Sequence, residues 1–156
     1  LGAHIRRSNP RDSLDPAPGT AASLAVNATH RLLRRGRTYG PPLSTSFDPD
    51  EILQAEEGEE RGIHFICINA NITRQFEFVQ RSWINNSQFV GLLDETDPLL
   101  GTRHLPSGRS TDTFSIPGCP VRQRISGLPT FVVVRGGAYF FLPSISAIRY
   151  LASLTS

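Results

Sequence analysis

The chain has 156 residues, 38% of them hydrophobic, which is enough for one domain with a real core but little spare room for a large enclosed ligand. Its net charge is only +2 and its 16 basic residues, all arginine, are scattered rather than striped, so nucleic acid is excluded as the leading partner. Cys67 and Cys119 lie too far apart for a zinc knuckle or a disulfide framework and read as small buried hydrophobes, and no apolar run reaches the roughly 18 residues that a bilayer span needs.

Several features follow in chain order. No initiating Met opens the sequence, so it reads as one piece of a larger polypeptide whose targeting signal is hidden. The opening stretch LGAHIRRSNPR sets one imidazole, His4, immediately before a cluster of guanidinium groups. Residues 9–25 are rich in Pro, Ser, Asp and Ala without a sustained period, which predicts an exposed loop, and the whole of 9–29 is taken with it. Asn27 or Thr29 then caps a short turn into HRLLRRG, residues 30–36. Residues 40–50 predict another irregular connection, and the acidic EILQAEEGEE after it a solvated loop.

The first strong element is RGIHFICINA, residues 61–70. Apolar side chains on both faces of a β-branched run predict a strand buried in the middle of a sheet. In the next segment Ile72, Phe76, Val79 and Trp83 recur at helical spacing, so an amphipathic helix runs to about Asn85. Residues 91–124 form a long loop with a short strand at its end. TFVVVRGGAYFFLP, residues 130–143, places Arg-Gly-Gly between two β-prone runs and predicts a hairpin; Ser144 caps a closing helix with Ile145, Ile148 and Leu151 on its buried stripe. This order predicts an α+β fold, a sandwich with helices on one face of a mostly antiparallel sheet.

Taken together, GAHIRRSNPR, RLLRRGRTYG, GIHFICINANITRQFEFVQRSWINN, DPLLG and GLPTFVVVRGGAYFFLPSISAIRYLA resemble, in the correct order, the C-terminal half of the dye-decolourising haem peroxidases. The resemblance implies a ferredoxin-like fold that forms half of a dimeric α+β barrel type of enzyme. It implies a haem b cofactor, hydrogen peroxide as oxidant and an organic dye or phenol as reductant. His4 stands at the family's iron-ligand position, and Arg34, the first Arg of RRG, at the distal arginine. Arg11 and Arg31 are implied as partners of the haem propionates, Ile63 and Phe65 as apolar residues over the distal face. Asp97, with Asp94 behind it, is the candidate partner of the ligand's second ring nitrogen, and Arg6 and Arg7 flank the ligand and hold its loop. Trp83, Tyr139 and Tyr150 are eligible as electron relays or as plain core.

The residues carry their own chemistry beside the resemblance. Neutral imidazole is the usual ligand of peroxidase iron, and it commonly donates its other N–H to an acceptor that fixes its tautomer. A guanidinium stays protonated, so Arg34 acts as a donor to peroxide and never as a base. Taken alone, each also fits an ordinary terminal histidine or a solvated arginine, and Ile63 and Phe65 fit any strand core. His30, His64 and His104 read as structural, His30 lying near enough to the haem edge to stay open.

The family's distal aspartate, in a Gly-x-x-Asp-Gly motif, does not occur in this chain. Peroxidase activity therefore belongs to a complete protein, with an N-terminal half as companion, and the 156 residues alone capture haem at best. A noncatalytic haem carrier or sensor on the same fold is the alternative. A regulatory or nucleic-acid module of ferredoxin type is the third reading, for which neither an aromatic pair nor a basic stripe speaks. A homo-oligomer and the compartment, cytoplasmic or secreted, stay open.

Overall fold

The computed structural model describes residues 2–55, 58–104 and 106–154. It is an α+β arrangement with antiparallel pairing and, among the described residues, no closed barrel. The elements are α1 (His4–Ser8), α2 (Ala21–Ala28), β1 (Leu33–Tyr39), α3 (Pro49–Gln54), β2 (Gly62–Ile68), two wide π-helical segments (Thr73–Glu77 and Val79–Ile84), β3 (Phe114–Ile116), β4 (Gln123–Ile125) and α4 (Ile145–Ser153).

The core is small and lies on one side of the wide helix. Val79, Trp83 and Ile84 from its second segment pack with Phe89, and Leu14 and Phe78 lean on them. The expected apolar stripe is therefore present, with i→i+5 rather than i→i+4 geometry. Helix α1 packs on the second segment, which fixes His4 beside the core rather than on the sheet.

Strand β2 lies where the alternating apolar run predicts it, but not in the middle of a sheet. Among the described residues it pairs only with β1, and Ile63, Phe65, Ile66 and Ile68 are each at least half exposed. β1 occupies most of HRLLRRG, where a helical turn is expected. That segment has no acidic or capping residue inside it, and its ladder with β2 supplies the backbone bonds that an isolated turn would lack.

Other elements depart from expectation for identifiable reasons. Thr20 accepts a hydrogen bond from the Ser23 N–H and so starts α2 inside the expected loop. Asp48 does the same for α3, with Pro49 at the first helical position, inside a run expected to be irregular and then solvated. The expected hairpin over residues 130–143 does not form: no strand is present there, neither Gly136 nor Gly137 takes a positive φ, and Phe140 and Phe141 are almost wholly exposed. A β-prone run becomes a strand only when another backbone pairs with it, and a two-residue I′ turn needs positive φ at both central residues. Cys119 is exposed rather than buried, and Tyr139 and Tyr150 lie on the surface rather than in the core. Ser144 does cap α4, its hydroxyl accepting from the Ala147 N–H, but the stripe expected to be buried is not: Ile145, Ile148 and Leu151 are each more than half exposed, since no residue of α4 is buried.

Candidate functional site

Two groups of the singled-out residues come together, and the wide helix touches both. The first centres on His4. Its Nδ1 lies 3.0 Å from Oδ2 of Asp97, which is 93 residues away in sequence and completely buried. A carboxylate only accepts, so Nδ1 carries a proton and donates it, and in the neutral ring Nε2 is then the nitrogen with the free lone pair. The His4 side chain is 36% exposed, so the imidazole stands at the edge of the packed region with its inner nitrogen engaged.

Asp97 is organised by its own loop. Its Oδ1 accepts from the N–H groups of Leu99 (2.9 Å) and Leu100 (2.8 Å), a turn that the Asp-Pro dipeptide initiates. Burial pushes its pKa up, but the hydrogen bond from His4 and the two backbone donors outweigh that, and the carboxyl is held below its ordinary range. Asp94 is not behind it: that side chain pairs with Arg109 on the surface.

The second group is one face of the β1–β2 ribbon. The register sets Arg34 opposite Cys67, Gly36 opposite Phe65 and Thr38 opposite Ile63, and residues directly opposite share a face. Arg34, Ile63 and Phe65 therefore share one exposed face. Gly36 contributes no side chain between them; a Cβ there would lie 3.3 Å from Ile63 Cγ2. Phe65 faces Phe76 of the wide helix at 6.4 Å between ring centroids, and α1 rests on that helix one segment later.

The remaining candidates stand apart. Arg11 is exposed, with a left-handed backbone (φ 58°), and its carbonyl accepts from Asn27 Nδ2 at 2.6 Å. Arg31 precedes β1, so it is not one helical turn before Arg34. Its carbonyl accepts from Gln75 Nε2 at 2.6 Å while its side chain is exposed. His30 stacks on Phe78 at 3.9 Å and meets Trp83 edge-on, its Nδ1 donating to the Arg74 carbonyl at 2.6 Å. Among the described residues no group of three or more His, Cys, Asp or Glu gathers as a metal cage.

Sequence reading missed the weight of Arg7, which is completely buried next to Glu95 and Asp97. In a run of arginines nothing distinguishes a buried guanidinium from a solvated one.

Comparison with known proteins shows what the chain is similar to. The chain is 33% identical over 166 residues to the dye-decolorizing peroxidase msp1 of Mycetinis scorodonius, covering 99% of this chain and 30% of that protein. Multifunctional dye peroxidase DyP2 of Amycolatopsis sp. is 32% identical over 155 residues, 96% of this chain and 31% of that one. The chain is homologous to the dye-decolourising peroxidases. The crystal structure of such an enzyme from Auricularia auricula-judae superimposes with a TM-score of 0.64 at 30% identity, over 94% of this chain and 32% of that one. A dye-decolourising peroxidase described with an engineered haem pocket for asymmetric sulfoxidation gives 0.67 at 31% identity, again over 94% and 32%. No family model matches the chain. The chain spans about 30% of the length of the curated dye-decolourising peroxidases it matches.

Proposed function

We propose that this chain is the C-terminal haem-binding part, residues 1–156, of a peroxidase that uses hydrogen peroxide to oxidise dyes, phenols or similar reductants. The observation that carries the reading is the His4–Asp97 pair at 3.0 Å. An imidazole whose Nδ1 is engaged by a buried carboxylate, and whose Nε2 has the free lone pair in the neutral ring, is set up to ligate one metal ion through a single nitrogen. Haem iron, which brings four nitrogens of its own, suits that donor set; a bare metal ion, needing several protein ligands, does not.

The roles divide between the two groups. His4 would hold the iron of haem b through Nε2, and Asp97, by engaging Nδ1, would orient the ring for this and raise its basicity. Haem supplies the redox chemistry when bound. Arg34, on the exposed sheet face, donates hydrogen bonds to peroxide and stabilises the negative charge that grows on the departing oxygen. Ile63 and Phe65 on the same face exclude bulk water from that space. Among the described residues Arg11 and Arg31 are oriented by neither side-chain contact nor burial, and we keep them as propionate partners on the chemistry of their forks alone. The base that moves the peroxide proton belongs to the rest of the enzyme, whose N-terminal part is the companion this chain requires. Among the described residues no helix is long and apolar enough to cross a membrane.

In the full-length enzyme, His4→Ala abolishes the Soret band of the purified protein, whereas Arg34→Ala retains it and loses peroxide-driven dye turnover. A Soret band that survives His4→Ala with unchanged axial ligation overturns the ligand assignment; unchanged turnover in Arg34→Ala overturns the distal one. A protein that binds haem through His4 but oxidises no reductant with peroxide is a carrier or sensor.

A further inference from the structure

Arg7 lies three residues after His4 on α1, and its side chain has no exposure to solvent. Burying a guanidinium strips its water, and burial pulls its pKa below the ordinary arginine value, with the charges of Glu95 and Asp97 acting in the opposite sense. Such a group persists only where its N–H donors are satisfied. Here they are satisfied almost entirely by backbone carbonyls. Nε donates to Gly2 at 3.2 Å, one terminal nitrogen to both Trp83 and Asn86 at 2.9 Å, and the other to Glu95 at 2.5 Å. The guanidinium carbon also sits 4.9 Å from the centroid of the Phe89 ring.

The identity of those carbonyls matters more than their number. Gly2 is two residues before His4, and Glu95 is two residues before Asp97. Trp83 and Asn86 belong to the end of the wide helix and the turn after it, and the Asp97 N–H itself donates to Ile84 in that segment at 2.8 Å. One rigid planar fork therefore ties together the segment carrying the imidazole, the segment carrying its carboxylate and the helix on which both rest. The nearby Glu95 carboxylate is buried with no hydrogen-bond partner among the described residues, so it supplies Arg7 with charge compensation rather than geometry.

We propose that Arg7 is a positioning residue for the ligand: its fork fixes the separation of His4 from Asp97, so that Nδ1 stays within hydrogen-bonding distance of the carboxylate and the neutral ring keeps its proton there rather than on Nε2. The consequence at iron rests on the reading of His4 given above; the tautomer itself does not. Lysine retains the charge beside Glu95 but offers a point donor that reaches fewer carbonyls at once.

The test uses the full-length protein with labelled His4 ring nitrogens, haem-free and haem-loaded, in Arg7→Lys, Asp97→Asn, the double variant and Phe89→Leu. In the haem-free protein, at a pH where the ring is neutral, Arg7→Lys raises the share of the tautomer protonated at Nε2. In the loaded protein it keeps the Soret band, loses haem about tenfold faster, and shifts the ferrous iron–imidazole stretching frequency in the direction given by Asp97→Asn; the double variant shifts it no further. A folded Arg7→Lys with an unchanged tautomer and stretching frequency, or additive shifts in the double variant, overturns the proposal. Should Arg7→Lys fail to fold, Phe89→Leu, which removes the ring against which the guanidinium is packed and so lets the fork shift from its carbonyls, is read the same way, and an unchanged tautomer there overturns it too. If His4→Ala retains imidazole-type ligation, the ligand reading falls while the tautomer arm still judges Arg7.

Discussion

Asp97 is a carboxylate that burial penalises and its neighbours more than compensate, and this sets how the site responds to acid. Its folded-state pKa is depressed, so its contribution to stability is fully present above the unfolded carboxyl range and disappears as pH falls through about 4 toward the folded value. We expect the haem-free protein to melt at progressively lower temperature below about pH 4, with Asp97→Asn lowering the melting temperature at neutral pH but removing this part of the acid dependence. Parallel melting curves of the two proteins from pH 7 to 3 measure it, and equal acid slopes contradict it. In the loaded enzyme, Asp97→Asn weakens haem affinity about 10- to 100-fold, read by transfer of haem to a scavenger protein. The resemblance points to Asp97 as partner of the His4 ring, although an Asp before Pro reads equally as a plain turn starter, and in the structure it does both. That Arg7, expected only to hold the ligand's loop with Arg6, is a buried fork was not legible, because its four carbonyl partners lie on segments up to 88 residues away.

At the scale of elements, packing and capping carry different weights. Trp83 fills the centre of a small core with Val79, Ile84 and Phe89, so Trp83→Ala costs about 3–5 kcal/mol, measured by denaturant unfolding. Ser144 caps a helix none of whose residues is buried, so Ser144→Ala costs about 1 kcal/mol at most and loosens α4 locally, seen as faster amide exchange over residues 145–148. The wide helix and α4 were readable because a 3.6-residue apolar period and a cap are local signals. β1 was misread as a turn because a strand of arginines has no local signature; its pairing with Gly62–Ile68 makes it a strand. The same dependence explains residues 130–143, where the local β signal is strong and no strand forms.

At the scale of the molecule, much apolar surface is uncovered. Ile63, Phe65, Ile66 and Ile68 on β2, Phe131 to Val134 and Tyr139 to Leu142 are all 45% exposed or more. Surface of this kind marks a place where other protein belongs. The 156-residue chain alone should therefore bind an apolar fluorescent dye strongly and associate, and Phe140→Arg with Phe141→Glu should reduce both, as followed by dye fluorescence and light scattering. A chain that stays monomeric and leaves the dye dark contradicts this.

The sequence by itself determined the fold class, the homology, the wide helix, the capped closing helix and the residue types fit for a haem site, because propensity, period and motif are properties of neighbours along the chain. Tertiary structure alone decided that Arg34, Ile63 and Phe65 share a face, that Arg7 is buried and that the 130–143 run stays unpaired. Strand register and the satisfaction of a buried charge depend on groups far apart in sequence, and only folding brings them within hydrogen-bonding distance.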